Sequence, residues 1–183
     1  GGKLSAFARQ RLESVGVEVK LGAMVTEVDA DGVEVKDADG NIERIRASCK
    51  VWAAGVQASP LGKLLADQAG AGTDRAGRVE VLPDLTLPGH PEVSVLGDMI
   101  SLDRLPGVAQ VAIQGGKYTA KRIIGEIEGH PVTEPFQYFD KGSMAVVSQF
   151  GAVARTGRLE ATGFVAWVMW LAVHLLYLIG FKQ

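Results

Sequence analysis

The chain has 183 residues, of which 47% are hydrophobic and 22% charged, and 19 basic against 21 acidic side chains leave a formal net charge of −2. That length can bury a sizeable core, and the near-neutral balance gives no electrostatic footprint for a nucleic-acid binder. One cysteine, Cys49, excludes an internal disulfide framework and a cysteine-rich zinc site, and the scattered His90, His130 and His174 argue against a histidine metal cluster.

The chain opens Gly1-Gly2-Lys3 with no apolar leader, so no signal peptide is expected, and it reads as part of a larger protein. Leu4, Phe7, Ala8, Leu12 and Val15 recur at helical spacing, and Gly16 sits where a C-cap is expected. Short apolar runs follow at Val17–Leu21, Met24–Val28, Val33–Val35 and Ile42–Ile45. Asp29-Ala30-Asp31-Gly32 and Asp37-Ala38-Asp39-Gly40-Asn41 punctuate them as tight turns. Cys49–Ala54 reads as a further strand, with Trp52 in the core. These elements predict an α/β module. Pro60 then starts a short helix over Leu61–Gln68, Val79–Leu82 reads as a strand, and Leu85–Pro91 as loop. Val93–Leu96 reads as a buried strand closed by Gly97-Asp98. Pro106-Gly107 opens a long helix to about Ile127, with Ala109, Ala112, Ile113, Gly116, Ala120, Ile123 and Ile124 as its inner face. Phe136–Phe139, Ala145–Ser148 and Ala152–Ala154 read as strands of a final β-rich unit.

Phe164–Phe181 carries no formal charge apart from a protonatable His174, and its eighteen residues sit at the lower edge of what spans a bilayer. Trp167, Trp170, His174, Tyr177 and Phe181 fall on one face, while Val165, Val168, Leu171, Leu175, Leu176 and Ile179 cover the rest. An aromatic stripe of this kind favours a helix lying in the membrane interface over a spanning helix or a buried core helix. Arg155, Arg158 and Lys182 are candidate contacts to lipid phosphates.

Four stretches, with this tail, resemble the type II NADH:quinone oxidoreductases. Val51-Trp52-Ala53-Ala54-Gly55-Val56 looks like that family's crossover from the NADH domain to the FAD domain. Val95-Leu96-Gly97-Asp98 looks like its flavin-binding strand end. Ala109-Gln110-Val111-Ala112-Ile113-Gln114 matches its A-Q-x-A-x-Q quinone motif, and Tyr138-Phe139-Asp140-Lys141-Gly142-Ser143-Met144-Ala145 matches the start of its C-terminal domain. The resemblance implies a two-dinucleotide-binding-domain (FAD/NAD(P)-binding) α/β flavoprotein fold, here a fragment without either G-x-G-x-x-G unit. It implies that residues 1–53 end the NADH-binding domain and 54–130 form the second part of the FAD-binding domain. Residues 131–160 would be a β-rich unit and 161–183 a membrane-associating helix. Gln149 stands where many relatives carry arginine, and a second membrane helix expected of the family does not follow before Gln183.

The resemblance also implies FAD and NADH as cofactors and no metal. Gly97 and Asp98 would bind the flavin, Asp98 as an acceptor for ribitol hydroxyls; on the residue alone Asp98 reads as a loop carboxylate capping a turn, and the helix that follows turns the reading to a ligand. Ala109 and Gln110, at the positive end of their helix, would contact the flavin ring. Gln110 and Gln114 share a face and would hydrogen-bond a quinone, or else are two solvated glutamines. Lys141 would stabilise reduced flavin or help protonate a quinol, or else is a surface turn lysine. The implied activity is non-proton-pumping transfer from NADH through FAD to a membrane quinone. The enzyme would sit on the cytoplasmic face of the cell membrane, held through Phe164–Phe181, with a homodimer left open and no nucleic-acid partner. Two rivals stand beside it: a related FAD-dependent reductase with a soluble acceptor, and a non-catalytic membrane-associated fragment.

Overall fold

The leading helix forms where the three- and four-residue spacing predicts it. In the computed structural model, which describes residues 2–178, α1 runs Lys3–Ser14 with Leu4, Phe7, Ala8 and Leu12 half-buried. Val15 is its C-cap and is exposed, and Gly16 turns the chain away at φ +90. Gly1, Ile179, Phe181, Lys182 and Gln183 lie outside the described residues. The chain divides into two units, residues 1–53 with 141–183, and residues 54–140.

In the first unit β1 (Met24–Val28), β2 (Gly32–Lys36) and β3 (Ile42–Arg46) make an antiparallel meander. Its turns are built by aspartates: Asp29 Oδ1 accepts from the backbone N–H of Asp31 and Gly32, and Asp37 Oδ1 from those of Asp39 and Asn41. The expected strands at Val17–Leu21 and Cys49–Ala54 are absent. Neither run has a hydrogen-bonded neighbour among the described residues, and a strand exists only through such pairing. Val51 is 85% exposed, and Trp52, expected in the core, is 68% exposed.

The second unit opens with α2 (Pro60–Ala69), where Ser59 Oγ accepts from Leu61 N, Pro60 occupies the first turn and left-handed Gly70 ends the helix. β4 (Val79–Glu80) pairs in parallel with β7 (Ile100–Ser101), while β5 (Thr86–Leu87) and β6 (His90–Ser94) form a hairpin where a loop was expected. The strand expected to run to Leu96 stops at Ser94. Val95 N still donates to Leu85 O, but Leu85 is left-handed at φ +65, so β5 does not run back far enough to pair with Leu96. Gly97-Asp98 therefore lies in a short 3-10 turn, Gly97–Met99.

α3 spans Ala109–Ile127, and its expected inner face is the wrong one. Val111, Gly115, Thr119, Arg122 and Gly125 are buried, whereas Ile113, Ile123 and Ile124 are exposed. Arg122 is tolerated inside because its guanidinium donates to Glu126 Oε1 (2.6 Å), Ser94 Oγ (2.9 Å) and Pro91 O (3.3 Å). Val111 joins Ala66, Val79, Val81, Leu85, Leu87, Val95 and Ile100 in the core of this unit.

Returning to the first unit, β8 (Ser143–Ser148), β9 (Gly151–Thr156) and β10 (Leu159–Thr162) form a second antiparallel sheet in the order β10-β9-β8. The last of these, and the full length of the other two, exceed the expected short runs. Phe136–Phe139 is not a strand. α4 (Gly163–Leu178) packs Ala166 against Ala152 and Ala154 of β9, with Met144, Ala161 and Trp167 around them.

Leu85 is fully buried, so Leu85→Ala should cost about 2–5 kcal/mol of stability, read as an earlier urea midpoint. In the meander, the hydrogen bond from Arg44 and those from Asp31 N and Gly32 N hold the Asp29 carboxyl at about 2, below its ordinary 3.8. A depressed folded value contributes stability above pH 3.8 that is lost as pH falls towards 2. The stability gap between wild type and Asp29→Asn should therefore narrow between pH 4 and pH 2, measured by circular dichroism of urea unfolding.

Candidate functional site

The residues expected at a site gather around the start of α3, within the unit formed by residues 54–140. Gly97 is left-handed at φ +73, and a Cβ there would stand 3.3 Å from Ala112 Cβ, closer than nearly all real contacts. This position thus takes glycine for its backbone and for the close pass of α3. The tight fit brings Asp98 next to the helix start: a Cβ on Gly107 would lie 3.7 Å from Asp98 Oδ1. Asp98 is exposed, and its carboxylate has no hydrogen-bond or ionic partner among the described residues. No side chain caps α3 at Val108, so the leading turn offers backbone N–H groups and the positive end of the helix dipole.

The approach to α3 is bent by two consecutive left-handed residues, Asp103 (φ +46) and Arg104 (φ +58). Sequence reasoning did not single them out, because arginine carries no preference for that region. Arg78 braces the loop, donating from Nη1 to Leu105 O (3.2 Å) while Nε donates to Asp74 Oδ2 (2.7 Å).

Ala109 is exposed and Gln110 half-buried on the first turn. Gln114, one turn further, has its side-chain amide taken up by one residue: Nε2 donates to Phe139 O (2.9 Å) and Oε1 accepts from Phe139 N (3.0 Å). An amide that satisfies both backbone groups of one residue substitutes for a strand partner. The clasp holds Phe139 beside α3, and Phe136–Phe139 joins no sheet among the described residues. Tyr118 continues the strap, donating from its hydroxyl to Glu134 O (2.7 Å) and setting its ring 5.6 Å from that of Phe136, while Phe136 N donates to Pro83 O (2.8 Å). Burial, with the Asp84 charge second, pushes the Tyr118 hydroxyl above its ordinary value, so it stays a donor at neutral pH. The Phe139 ring is left outside, 70% exposed. The Gln114–Phe139 clasp was not legible in the sequence; only the six-residue motif that contains Gln114 drew attention to it.

Lys141 lies in the other unit. Beside it Gly142 is left-handed (φ +102) and runs against the backbone of Arg155 and Thr156 with no room for a side chain. The glycine of the Asp140-Lys141-Gly142 run is thus a packing requirement. No group of His, Cys, Asp and Glu able to hold a metal occurs among the described residues.

If Gln114 pins Phe139, then Gln114→Ala should accelerate hydrogen exchange at the Phe139 amide by about tenfold or more, with the α3 amides unchanged, as read by exchange mass spectrometry.

The chain is 59% identical over its whole length to the type II NADH:quinone oxidoreductase Ndh of Mycobacterium tuberculosis and 52% identical to NdhA of the same organism. It spans 40% of the length of each of these curated relatives. Its fold is similar to that of NDH2 from Plasmodium falciparum, solved in complex with NADH, with a TM-score of 0.81 at 14% identity over 97% of this chain and 51% of that one. The sulfide:quinone oxidoreductase of Aquifex aeolicus is a further fold relative, with a TM-score of 0.71 at 13% identity over 94% of this chain and 44% of that one. The family profile for pyridine nucleotide-disulphide oxidoreductases matches residues 1–116, and the chain belongs to that family.

Proposed function

We propose that the chain is part of a non-proton-pumping NADH:quinone oxidoreductase that binds FAD at Gly97, Asp98 and the start of α3. The observation that carries this reading is the exposed, unpartnered Asp98 carboxylate beside Gly107 at the uncapped end of α3. That pair of features suits a flavin: an acceptor-only group for polyol hydroxyls, and a positive helix end for a ring that gains negative charge. Similarity over the whole chain to proteins named for this activity supports it. When bound, a flavin supplies the two-electron chemistry that joins a hydride donor to a quinone.

The chain's own residues then divide the work. Gly97 permits the close approach, Asp98 orients, and Ala109 leaves space at the ring. Gln110 presents an amide to a quinone carbonyl, and Gln114, on the same face, sets the exposed Phe139 at that quinone surface. Lys141 is the cation assigned to negative charge at the flavin or to quinol protonation. Residues 1–53 belong to the end of the NADH-binding domain, 54–130 to the FAD-binding domain, 131–160 to a β-rich unit and 161–183 to the membrane element.

No helix among the described residues is long and apolar enough to cross a membrane. α4 instead exposes Phe164, Val165, Val168, Leu175, Leu176 and Leu178. The aromatic stripe read from the sequence is divided: Trp167 and Trp170 turn half inward, the Trp170 and His174 rings lie 4.1 Å apart and tilted by 33°, and the outward surface is chiefly aliphatic. Such a surface supports a helix lying in the membrane interface, and the reading puts it on the cytoplasmic face. A homodimer is compatible with this arrangement.

In the full-length, flavin-loaded enzyme, Gln110→Ala should slow quinone reduction about tenfold, the loss of one hydrogen bond in the reacting complex. Flavin reduction by NADH should be unchanged. Stopped-flow absorbance separates the two half-reactions, and equal slowing of both would remove Gln110 from the quinone face.

A further inference from the structure

The turn between β8 and β9 holds a residue in a conformation that disfavours it. Phe150 is left-handed at φ +56, a region where glycine or asparagine is the ordinary occupant and a bulky side chain is strained. Its ring is not tucked under the sheet in compensation, for Phe150 is 52% exposed. It meets Trp167 edge-on with ring centroids 5.0 Å apart and Phe164 at 6.3 Å, and Phe164 stacks on Trp167 at 5.9 Å. A hairpin turn facing water has no use for such a ring.

The cluster is continuous with the outward side of α4. Phe164, Val168, Leu175 and Leu178 lie at helical spacing on one stripe, and all are exposed. A cation is fixed at the same place. Arg11 of α1 donates from Nε to Ser148 Oγ (2.6 Å) and from Nη2 to Gln149 O (3.3 Å), which braces the strained turn from behind. Aromatic rings beside an aliphatic stripe, with a guanidinium at their edge, match the layered chemistry of a bilayer surface that carries anionic lipid.

We infer that the Gln149–Phe150 turn is a second membrane-contacting element, which lays the Phe150 ring beside Phe164 into the interfacial layer of an anionic bilayer. This rests on the membrane reading of α4 above. The strained backbone is what turns the ring outward, and Arg11 holds it there at headgroup depth.

The test is sedimentation of the protein with vesicles of phosphatidylcholine and phosphatidylglycerol. Wild type is compared with Phe150→Asn, Phe150→Trp and Leu175→Asp, with light scattering for self-association. Asparagine suits the left-handed turn, so Phe150→Asn should keep its circular dichroism spectrum while losing about tenfold in vesicle affinity. Phe150→Trp should bind like wild type, and vesicles without phosphatidylglycerol should bind all forms more weakly. Equal affinity of Phe150→Asn and wild type, with loss in Leu175→Asp, would place the turn in water and leave the helix reading standing. Vesicle binding unaffected by any variant, or absent in wild type, would overturn both. Reduced self-association in Phe150→Asn with undiminished vesicle binding would assign the surface to a second copy of the chain and overturn the inference.

Discussion

Packing of α3 through its small residues is the constraint on which the unit of residues 54–140 depends. A Cβ placed on Gly115 would lie 3.4 Å from Leu85 Cδ1 and 3.6 Å from Leu96 Cβ, so the helix sits close on the segment that carries the β5–β6 hairpin. That approach buries Val111 in the common core and brings Ala112 against Gly97. From this follow the place of Asp98 at the helix start and the seating of the 134–139 strap along Gln114 and Tyr118. The tightest of these contacts is at Gly97, where a side chain would stand 3.3 Å from Ala112 Cβ and press the helix away from the site.

The first unit solves a similar problem with alanine. Its small buried cluster is Ala152, Ala154 and Ala166, which lets α4 lie near the sheet but removes little apolar area from water. Most of the helix circumference therefore stays outside, and the surface it presents is greasy because the residues that pack are the small ones.

What was legible in the sequence follows the range of the forces involved. Local signals read well: α1 from its periodicity, α2 from Ser59, Pro60 and Gly70, and the meander turns from Asp29 and Asp37, because each is decided within a few residues. Signals that need a distant partner read poorly. Val17–Leu21, Cys49–Ala54 and Phe136–Phe139 have the composition of strands yet pair with no strand. The inner face of α3 differs from the expected one because isoleucine outweighs glycine on any hydropathy scale, while the buried face carries Gly115 and Gly125, the latter with His130 O 2.5 Å from where a Cβ would stand. At the site, Gly97, Asp98, Ala109 and Gln110 do gather at one helix end, and Gln114 lies on the same helix. That Gln114 spends both ends of its amide on Phe139 depends on a residue 25 positions away. No local pattern encodes it.

Arg122 carries a consequence for how the chain finds this structure. α3 has two apolar faces that compete, one with Val111 and Gly115 and one with Ile113, Ile123, Ile124 and Ile127. By area alone the second would win, and the helix would dock rotated about its axis. The guanidinium breaks that tie, since only the observed rotation brings it to Ser94 Oγ and Pro91 O. Both acceptors belong to β6, so they exist in the right place only once the hairpin has formed. Helix and hairpin thus verify one another during folding, and the charged residue acts as a rotational key, trading some stability for a single permitted docking.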